Sequence, residues 1–373
     1  MLKCSTLLLG LLLCAAGHAG IQPEKISQET MGAPGPTWFL VRSGLGSQYV
    51  FDVATGEMHG LLPITFYTPA VEPNLAQNEI YAAEIYYSRV HNGTRTDVVT
   101  VYDAETLTSK AEIEVPQKIA SLPFRHYIAL LDDAQHLAVF NLTPAQSVSI
   151  VDVKQRNFVT EISTPGCALN FATPGRAFLQ ICGDGRLQMI RLDEQGNESQ
   201  RVRSDRFFNL EEDPVFDKPV RTASGWLLVS YQGDVFEVSV DGDDIEINKP
   251  WSLVVEKTEG ELAGQPWGPG GGHFLSYHRD LDLLFVLMNT VGEFGQDSAG
   301  EEVWVFDVSE QSRIARLALE HKAEFLHVSQ NRDALLAVSG EDLNLHIFDV
   351  KTLKEVRTID SVGAAGAGHI QGF

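Results

Sequence analysis

The sequence predicts an all-β fold, a seven-bladed β-propeller with four-stranded antiparallel blades that forms a single domain over residues 37–373. Three observations support this prediction. The chain beyond residue 36 shows almost no helical periodicity and many short apolar runs separated by turn residues. One unit recurs seven times, and its copies are about 50 residues apart on average, which suits a four-stranded propeller blade. No linker divides the chain into two domains.

The recurring unit is a short strand that ends in an aromatic or aliphatic residue followed by a carboxylate. An Asp at the end of a strand can accept hydrogen bonds from backbone amides two residues further on and so start a turn. We therefore interpret these carboxylates as turn-forming rather than catalytic. They are Asp52, Asp103, Asp152, Asp193, Glu237, Asp307 and Asp349.

The long step between Glu237 and Asp307 predicts insertions at residues 255–272 and 289–302. Long insertions in a propeller project from a face, where binding takes place. We expect the strand at residues 37–41 to pair with the last blade, which would leave no open sheet edge.

The first 36 residues are expected to lie outside the propeller. Residues 1–19 have the features of a signal peptide, with Lys3, an apolar run over 7–16 and small residues before a cleavage site after Ala19. The run is shorter than the roughly 20 apolar residues that span a bilayer, and no later run is long enough. The sequence therefore predicts an exported protein without a membrane segment, in which residues 20–36 form an N-terminal arm.

Cysteine usage agrees with export. Cys4 and Cys14 would leave with the signal peptide, so only Cys167 and Cys182 remain. These two form either a disulfide or two unrelated buried thiols. The disulfide is favoured because an exported chain with an even, minimal cysteine count has little reason to keep free thiols.

The charge balance excludes one class of partner. The chain has 28 Lys and Arg against 50 Asp and Glu, a net charge of -22. Such a surface repels phosphate backbones, so a nucleic acid partner is not expected. The acidic surface either keeps the protein soluble, which is the favoured interpretation, or steers protonated amines toward a site.

The sequence contains no motif that predicts a catalytic residue or a metal site. The glycine-rich residues 268–272 are interpreted as a tight loop. His273, Tyr277 and His278 follow this loop, and a base or metal role is conceivable for the histidines. A structural role is favoured because no carboxylate or cysteine lies at ligand spacing.

Several segments, in order and spread over about residues 37–350, resemble the large (heavy) subunit of the amine dehydrogenases. These segments are GLLP at 60–63, GTRTDVVTVYD at 93–103, TPGC at 164–167, CGDG at 182–185, PGGGHFLSYHR at 269–279 and EVWVFD at 302–307. The resemblance is to methylamine dehydrogenase and aromatic amine dehydrogenase, and it includes both remaining cysteines.

The resemblance implies a periplasmic heterotetramer of two large and two small subunits. The small subunit of this family carries tryptophan tryptophylquinone, so no cofactor is expected in this chain. The quinone converts a primary amine to an aldehyde and ammonia and passes electrons to a small copper protein or cytochrome c. This chain would bind the small subunit and wall the substrate channel. The alternative is a propeller of the same descent that serves as a binding or assembly module without a quinone partner.

One site residue follows from the resemblance. Relatives often have a Phe before the Leu-Pro of the first segment, and this Phe reaches into the substrate channel. Leu61 stands at that position here, so the resemblance implies that Leu61 lines the channel. A second departure is His273, which follows the glycines where many relatives have Trp.

Overall fold

The structure is a computed structural model that describes residues 29–373 except 44–45, 69, 123, 255–265, 292–294, 361 and 363–366. The predicted signal peptide and most of the predicted arm lie outside the described residues. So do parts of both predicted insertions. The described end of the arm contacts the body of the protein, since the Met31 amide donates a hydrogen bond to the Glu105 carbonyl at 2.8 Å.

The described residues form an all-β propeller, and its first three sheets have four antiparallel strands each. The first sheet contains β1 (Trp38–Ser43), β2 (Gln48–Asp52), β3 (Glu57–Leu62) and β29 (Ala367–Gly372), in the order β29-β1-β2-β3. The second contains β4 (Val71–Asn74), β5 (Glu79–Arg89), β6 (Asn92–Asp103) and β7 (Ser109–Val115). The third contains β8 (Ile128–Leu130), β9 (His136–Asn141), β10 (Ser147–Asp152) and β11 (Asn157–Ser163).

The other three sheets have four, five and eight strands. The fourth contains β12 (Cys167–Thr173), β13 (Ala177–Cys182), β14 (Arg186–Leu192) and β15 (Glu198–Arg203). The fifth contains β16 (Val220–Arg221), β17 (Gly225–Val229), β18 (Asp234–Asp241), β19 (Asp244–Ile247) and β20 (Trp251–Ser252). The sixth contains β21 (Gly268–Pro269), β22 (Leu275–His278), β23 (Leu283–Asn289), β24 (Gly300–Asp307), β25 (Ser312–Val328), β26 (Leu335–Gly340), β27 (Leu345–Asp349) and β28 (Lys354–Ile359).

The prediction of seven separate four-stranded blades is wrong. The described strands form five sheets of four or five strands and one continuous eight-stranded sheet. The cause is β25, whose 17 residues pair with β24 over 312–318 and with β26 over 323–328. No Gly, Pro, Asn or Asp lies within β25, so nothing in its sequence ends the strand.

The turn-forming role of the carboxylates is confirmed for the six aspartates. Asp52, for example, accepts a hydrogen bond from the Ala54 amide at 2.9 Å, and Asp307 accepts one from the Glu310 amide at 2.9 Å. The same contact recurs at Asp103, Asp152, Asp193 and Asp349. The prediction is wrong for Glu237, which lies inside β18 and accepts a hydrogen bond from the Trp251 indole at 3.1 Å.

The ring is closed by the last strand of the chain. β1 pairs with β2 on one side and with β29 on the other, so β29 is the inner strand of the first sheet. The expectation that residues 37–41 join the last sheet is therefore wrong. Contact with that sheet is through side chains instead, because Phe39 and Val41 pack in one core cluster with Ala337 and Ile347.

Two faces follow from the meander of each sheet. The chain runs from the inner to the outer strand and then crosses to the next sheet. Because neighbouring strands are antiparallel, the connections between second and third strands and the crossings between sheets emerge on one side, here called the upper face. The connections between first and second strands and between third and fourth strands form the lower face. Helical structure in the described residues is confined to 3-10 turns at Leu75–Gln77, Arg125–Tyr127 and Gly295–Asp297, and none has the length or apolar content needed to cross a membrane.

Candidate functional site

Exposed apolar side chains are concentrated on the upper face. Among the described residues, eight large hydrophobic side chains in upper-face connections are exposed, against two in lower-face connections. The upper-face residues are Phe66, Val90, Leu122, Leu142, Leu210, Tyr231, Val291 and Leu343, and the lower-face residues are Leu75 and Leu281. Apolar surface gathered on one side of a domain is typical of a protein interaction surface.

A buried carboxylate organises the upper-face loop at residues 63–68. Glu84, on β5, is fully buried. One of its oxygens accepts hydrogen bonds from the Thr65 amide at 2.9 Å and the Thr68 hydroxyl at 3.5 Å. The other accepts from the hydroxyls of Tyr86 at 3.1 Å and Tyr102 at 3.0 Å. The loop that presents Phe66 is therefore fixed from below.

Both phenols are held protonated, as donors to Glu84 must be. Burial, with the nearby Glu84 charge, raises the pKa of Tyr86 to about 12. The same two causes raise the pKa of Tyr102 further. Each phenol therefore keeps the proton that it donates at neutral pH.

The β5–β6 hairpin stands beside this loop and is longer than the others, with strands of 11 and 12 residues. At its tip Val90 is 77% exposed and adopts φ 59, a left-handed conformation that is strained for a β-branched residue. Tyr67 joins loop and hairpin, because its ring lies edge-on to Tyr87 with centroids 5.5 Å apart and its hydroxyl is 2.5 Å from Nδ1 of His91. Loop and hairpin thus form one braced apolar surface.

Leu61 lies next to this surface. It is on β3, the outer strand of the first sheet, where it pairs with Tyr49 and is 47% exposed. The loop at 63–68 begins two residues later, so Leu61 is at the upper end of its strand. Its predicted role in lining a substrate channel stays a prediction.

A cavity of about 280 Å³ lies among the inner strands, at the axis of the propeller. Its lining includes four cationic side chains and the carboxyl group of Glu72. The four cationic residues are Arg125, Lys218, Arg221 and Arg279. Burial raises the pKa of Glu72 to about 7, although Arg125 and Arg221 oppose the shift. A protonated amine is poorly matched to this positive lining.

Three histidines of this region, here called the axial histidines, are held neutral. They are His126, His327 and His369, and burial lowers the pKa of each to about 3. Nε2 of His126 donates a hydrogen bond to the Pro219 carbonyl at 3.1 Å. Nε2 of His369 is 3.1 Å from Oε1 of Gln371.

Of the two histidines that the sequence singled out, His278 has a structural role. Nε2 of His278 donates to the Asn331 carbonyl at 3.1 Å, and Nδ1 accepts from the Leu281 amide at 3.2 Å. Both ring nitrogens of His278 are therefore used. His273 packs edge-on against His369 with centroids 4.2 Å apart, and burial lowers its pKa well below the ordinary value. The structural interpretation is confirmed for His278.

The predicted disulfide is confirmed. Cys167 begins β12 and Cys182 ends β13, and the two residues face each other in the pairing of these strands with Cα atoms 4.0 Å apart. The sulfur atoms are bonded. The bridge closes the upper end of the fourth sheet, beside the β13–β14 connection.

The sequence profile of the methylamine dehydrogenase heavy chain (MADH) matches residues 35–370, which is nearly all of the described chain. The chain belongs to the methylamine dehydrogenase heavy chain family. The predicted resemblance is thereby confirmed, and the heavy chain is the large subunit of an amine dehydrogenase.

Two curated relatives carry the family name. The methylamine dehydrogenase heavy chain of Methylobacillus flagellatus is 29% identical over 283 residues, which cover 75% of this chain and 70% of the relative. The heavy chain of Paracoccus versutus is 28% identical over 328 residues, which cover 86% of this chain and 75% of the relative.

Similar solved structures support the fold alone. A functionally unknown protein from Desulfotomaculum acetoxidans superposes with a TM-score of 0.58 at 13% identity, covering 90% of this chain and 98% of its own. Dihydro-heme d1 dehydrogenase NirN in complex with DHE superposes with a TM-score of 0.53 at 15% identity, covering 91% of this chain and 76% of its own.

Sequence reasoning about this heavy-chain family member missed the organisation of the upper face. The donors to Glu84 come from residues up to 19 positions away and from both sides of β5. The long hairpin of β5, with 11 residues, and β6, with 12 residues, was the available signal for this surface. An apolar residue at the tip of such a hairpin indicates a contact with a partner.

Proposed function

We propose that this chain is the large subunit of a periplasmic quinoprotein amine dehydrogenase and that its upper face binds the small subunit. The match to the heavy chain family over residues 35–370 carries the proposal. The eight exposed apolar side chains of the upper face support this choice of surface, since an interface core is rich in apolar and aromatic residues.

In the proposed complex, two large subunits hold two small subunits that carry tryptophan tryptophylquinone. The bound quinone supplies the oxidation of a primary amine to an aldehyde and ammonia, and its electrons leave through a small copper protein or cytochrome c. This chain contributes surface rather than redox chemistry. Leu61 would wall the substrate channel, and the braced loop and hairpin would hold Phe66 and Val90 against the partner.

Periplasmic location is part of the same proposal. The disulfide between Cys167 and Cys182 supports it, because disulfides persist in oxidising compartments. Fractionation of the native cells tests the location: the proposal expects the chain in the periplasmic fraction, and recovery with cytoplasmic markers contradicts it.

The experiment for function is co-purification of the full chain with the small subunit encoded in the same genome. We expect a complex with two copies of each subunit that reduces an artificial dye when a primary amine is added. A lone, colourless chain without amine-dependent dye reduction would instead identify a binding or assembly module.

Matched substitutions test the surface. Phe66 is 59% exposed on the upper face, and Leu281 is 39% exposed on the lower face. We expect Phe66→Glu to weaken small-subunit binding at least tenfold, since burying an unpaired charge at an interface costs more than 1.4 kcal/mol. Leu281→Glu, the control, should bind like the wild type. Equal effects of the two substitutions would contradict an upper-face interface.

A further inference from the structure

A cluster of two histidines and one carboxylate lies on the upper face, in a different sheet from the β5–β6 hairpin. His321 is in the part of β25 that crosses between strand partners, Asp342 is in the β26–β27 connection, and His346 is on β27. Nε2 of His346 is 3.3 Å from both carboxylate oxygens of Asp342, and Nε2 of His321 is 3.7 Å from Oδ2. One ligand atom from each residue lies within 4.8 Å of the others.

The fold brings these three residues together through strand pairing. Ala323 of β25 pairs with Gly340 of β26, and the Glu341 amide donates a hydrogen bond to the Lys322 carbonyl at 2.8 Å. The two imidazole rings lie nearly parallel, with centroids 5.6 Å apart and planes inclined by 24°. Both rings therefore approach the carboxylate of Asp342 from the same side of the sheet.

A second layer of hydrogen bonds orients the candidate ligands. Nδ1 of His346 donates to Oε1 of Glu355 at 3.0 Å, which leaves Nε2 facing Asp342. The Thr358 hydroxyl donates to the same Glu355 oxygen at 2.6 Å. On the other side, Nδ2 of Asn344 donates to Oδ2 of Asp342 at 2.7 Å. The other ring nitrogen of a metal-bound histidine almost always donates to an acceptor, and a carboxylate is one of the common acceptors.

Gly340 leaves the space in which the ligand atoms meet. A Cβ atom at this position would lie 2.3 Å from Oδ1 of Asp342 and 3.0 Å from Nε2 of His346. Any larger residue would thus push the carboxylate and the imidazole apart. Gly340 has no positive φ, so the need for glycine here is spatial.

The local charge favours a cation. Carboxylate oxygens of Glu355 and Asp342 lie 3.0 Å and 3.3 Å from the two ring nitrogens of His346. The nearby Lys322 is engaged elsewhere, since its ammonium group lies 2.9 Å from Glu301.

We propose that His321, Asp342 and His346 bind a divalent first-row transition ion of the zinc type. Two imidazoles and one carboxylate form a ligand set suited to zinc, and a three-residue set leaves a position for water or a partner's side chain. The side chains are 40%, 21% and 15% exposed in the order of the sequence, so an ion can enter from solvent. Sequence reasoning predicted no metal site in this chain and missed this cluster.

The test is Zn²⁺ binding to the full chain, purified without a polyhistidine tag, in competition with a zinc-sensitive dye. We expect one Zn²⁺ per chain with a dissociation constant in the micromolar range or below. His346→Gln and Asp342→Asn should each weaken binding at least a hundredfold. Glu355→Gln, which removes only the orienting acceptor, should weaken it about tenfold. The control is His91→Gln, because His91 is a histidine outside the cluster. This variant should bind Zn²⁺ with the affinity of the wild type.

Gly340→Ala provides a test that keeps all three ligands. We expect it to weaken Zn²⁺ binding at least tenfold, because the added methyl group occupies the meeting point. Thermal unfolding of each variant without metal checks that it is folded. If the wild type shows no saturable binding, or if Gly340→Ala and His346→Gln bind Zn²⁺ as the wild type does, the cluster is only a surface ion-pair network and the proposal is wrong. This outcome would leave the proposed dehydrogenase function untouched.

Discussion

Removing the carboxylate of Glu84 should destabilise the protein strongly, because Glu84→Ala leaves several buried donors without an acceptor. The Thr65 amide, at 2.9 Å, and the Tyr102 hydroxyl, at 3.0 Å, make the shortest contacts. A buried donor that loses its partner costs about 1–3 kcal/mol. With at least two donors orphaned and a cavity left behind, we expect the free energy of unfolding to fall by about 4 kcal/mol.

Glu84→Gln removes the charge of the side chain but keeps its shape, so it distinguishes loss of the charge from loss of the whole acceptor. The amide oxygen of Gln can still accept from the Thr65 amide, and its NH2 group can donate to the hydroxyls of Tyr86 and Tyr102, which can rotate to accept. We therefore expect a smaller loss, about 1–2 kcal/mol, consistent with replacing charged hydrogen bonds by neutral ones.

The assay is urea unfolding of the full chain, followed by tryptophan fluorescence. Glu114→Ala is the matched control, because Glu114 is an exposed carboxylate on β7 of the same sheet and its removal should change stability by no more than about 0.5 kcal/mol. A loss below about 1 kcal/mol for Glu84→Ala, or equal losses for the Ala and Gln variants, would refute the assignment of Glu84 as the acceptor that holds the loop.

Two further predictions concern the disulfide and the axial histidines. Replacing Cys167 and Cys182 together by Ser should lower the free energy of unfolding by about 3 kcal/mol, because loop-closure entropy gives this value for a separation of 15 residues. Urea midpoints with and without reductant measure this loss. The axial histidines have pKa values lowered to about 3. Between about pH 3 and 6.5 the unfolded chain therefore binds more protons than the folded chain. Their contribution to stability is full above pH 6.5 and falls as the pH decreases. At pH 5 each axial histidine should lower the free energy of unfolding by roughly 2 kcal/mol relative to neutral pH. His327→Gln should therefore flatten the decline of the urea midpoint between pH 7.5 and 5. A wild-type midpoint that does not change over this range would contradict the prediction.

Features that depend on neighbouring residues were predictable from the sequence. An aspartate that starts a turn needs only the amides of the next few residues, so Asp52 and Asp349 could be interpreted without knowledge of the fold. Glu237 fails because its longer side chain reaches Trp251, 14 residues away, instead of its own turn. The disulfide followed from the even, minimal cysteine count together with the predicted export.

Features that depend on register between distant strands were not predictable. The extent of β25 depends on whether two sheets share a strand, and the absence of turn residues within it was the one available signal. His321 and Asp342 are 21 positions apart, and only the pairing of Ala323 with Gly340 brings them together. The spacing of Asp342 and His346 across a short turn is visible in the sequence, but the proximity of His321 to them is not.

The position of β29 has a consequence for how the molecule is made. Residues 367–372 supply the inner strand of a sheet whose other strands begin at residue 38, and Gln371 donates a hydrogen bond to the Val71 carbonyl across 300 positions of sequence. During synthesis β1 therefore keeps one edge unpaired until residues 367–372 have emerged. A chain stopped before residue 367 would keep that edge available for pairing with other nascent chains, so incomplete translation products of this propeller should aggregate rather than persist as slightly shortened rings.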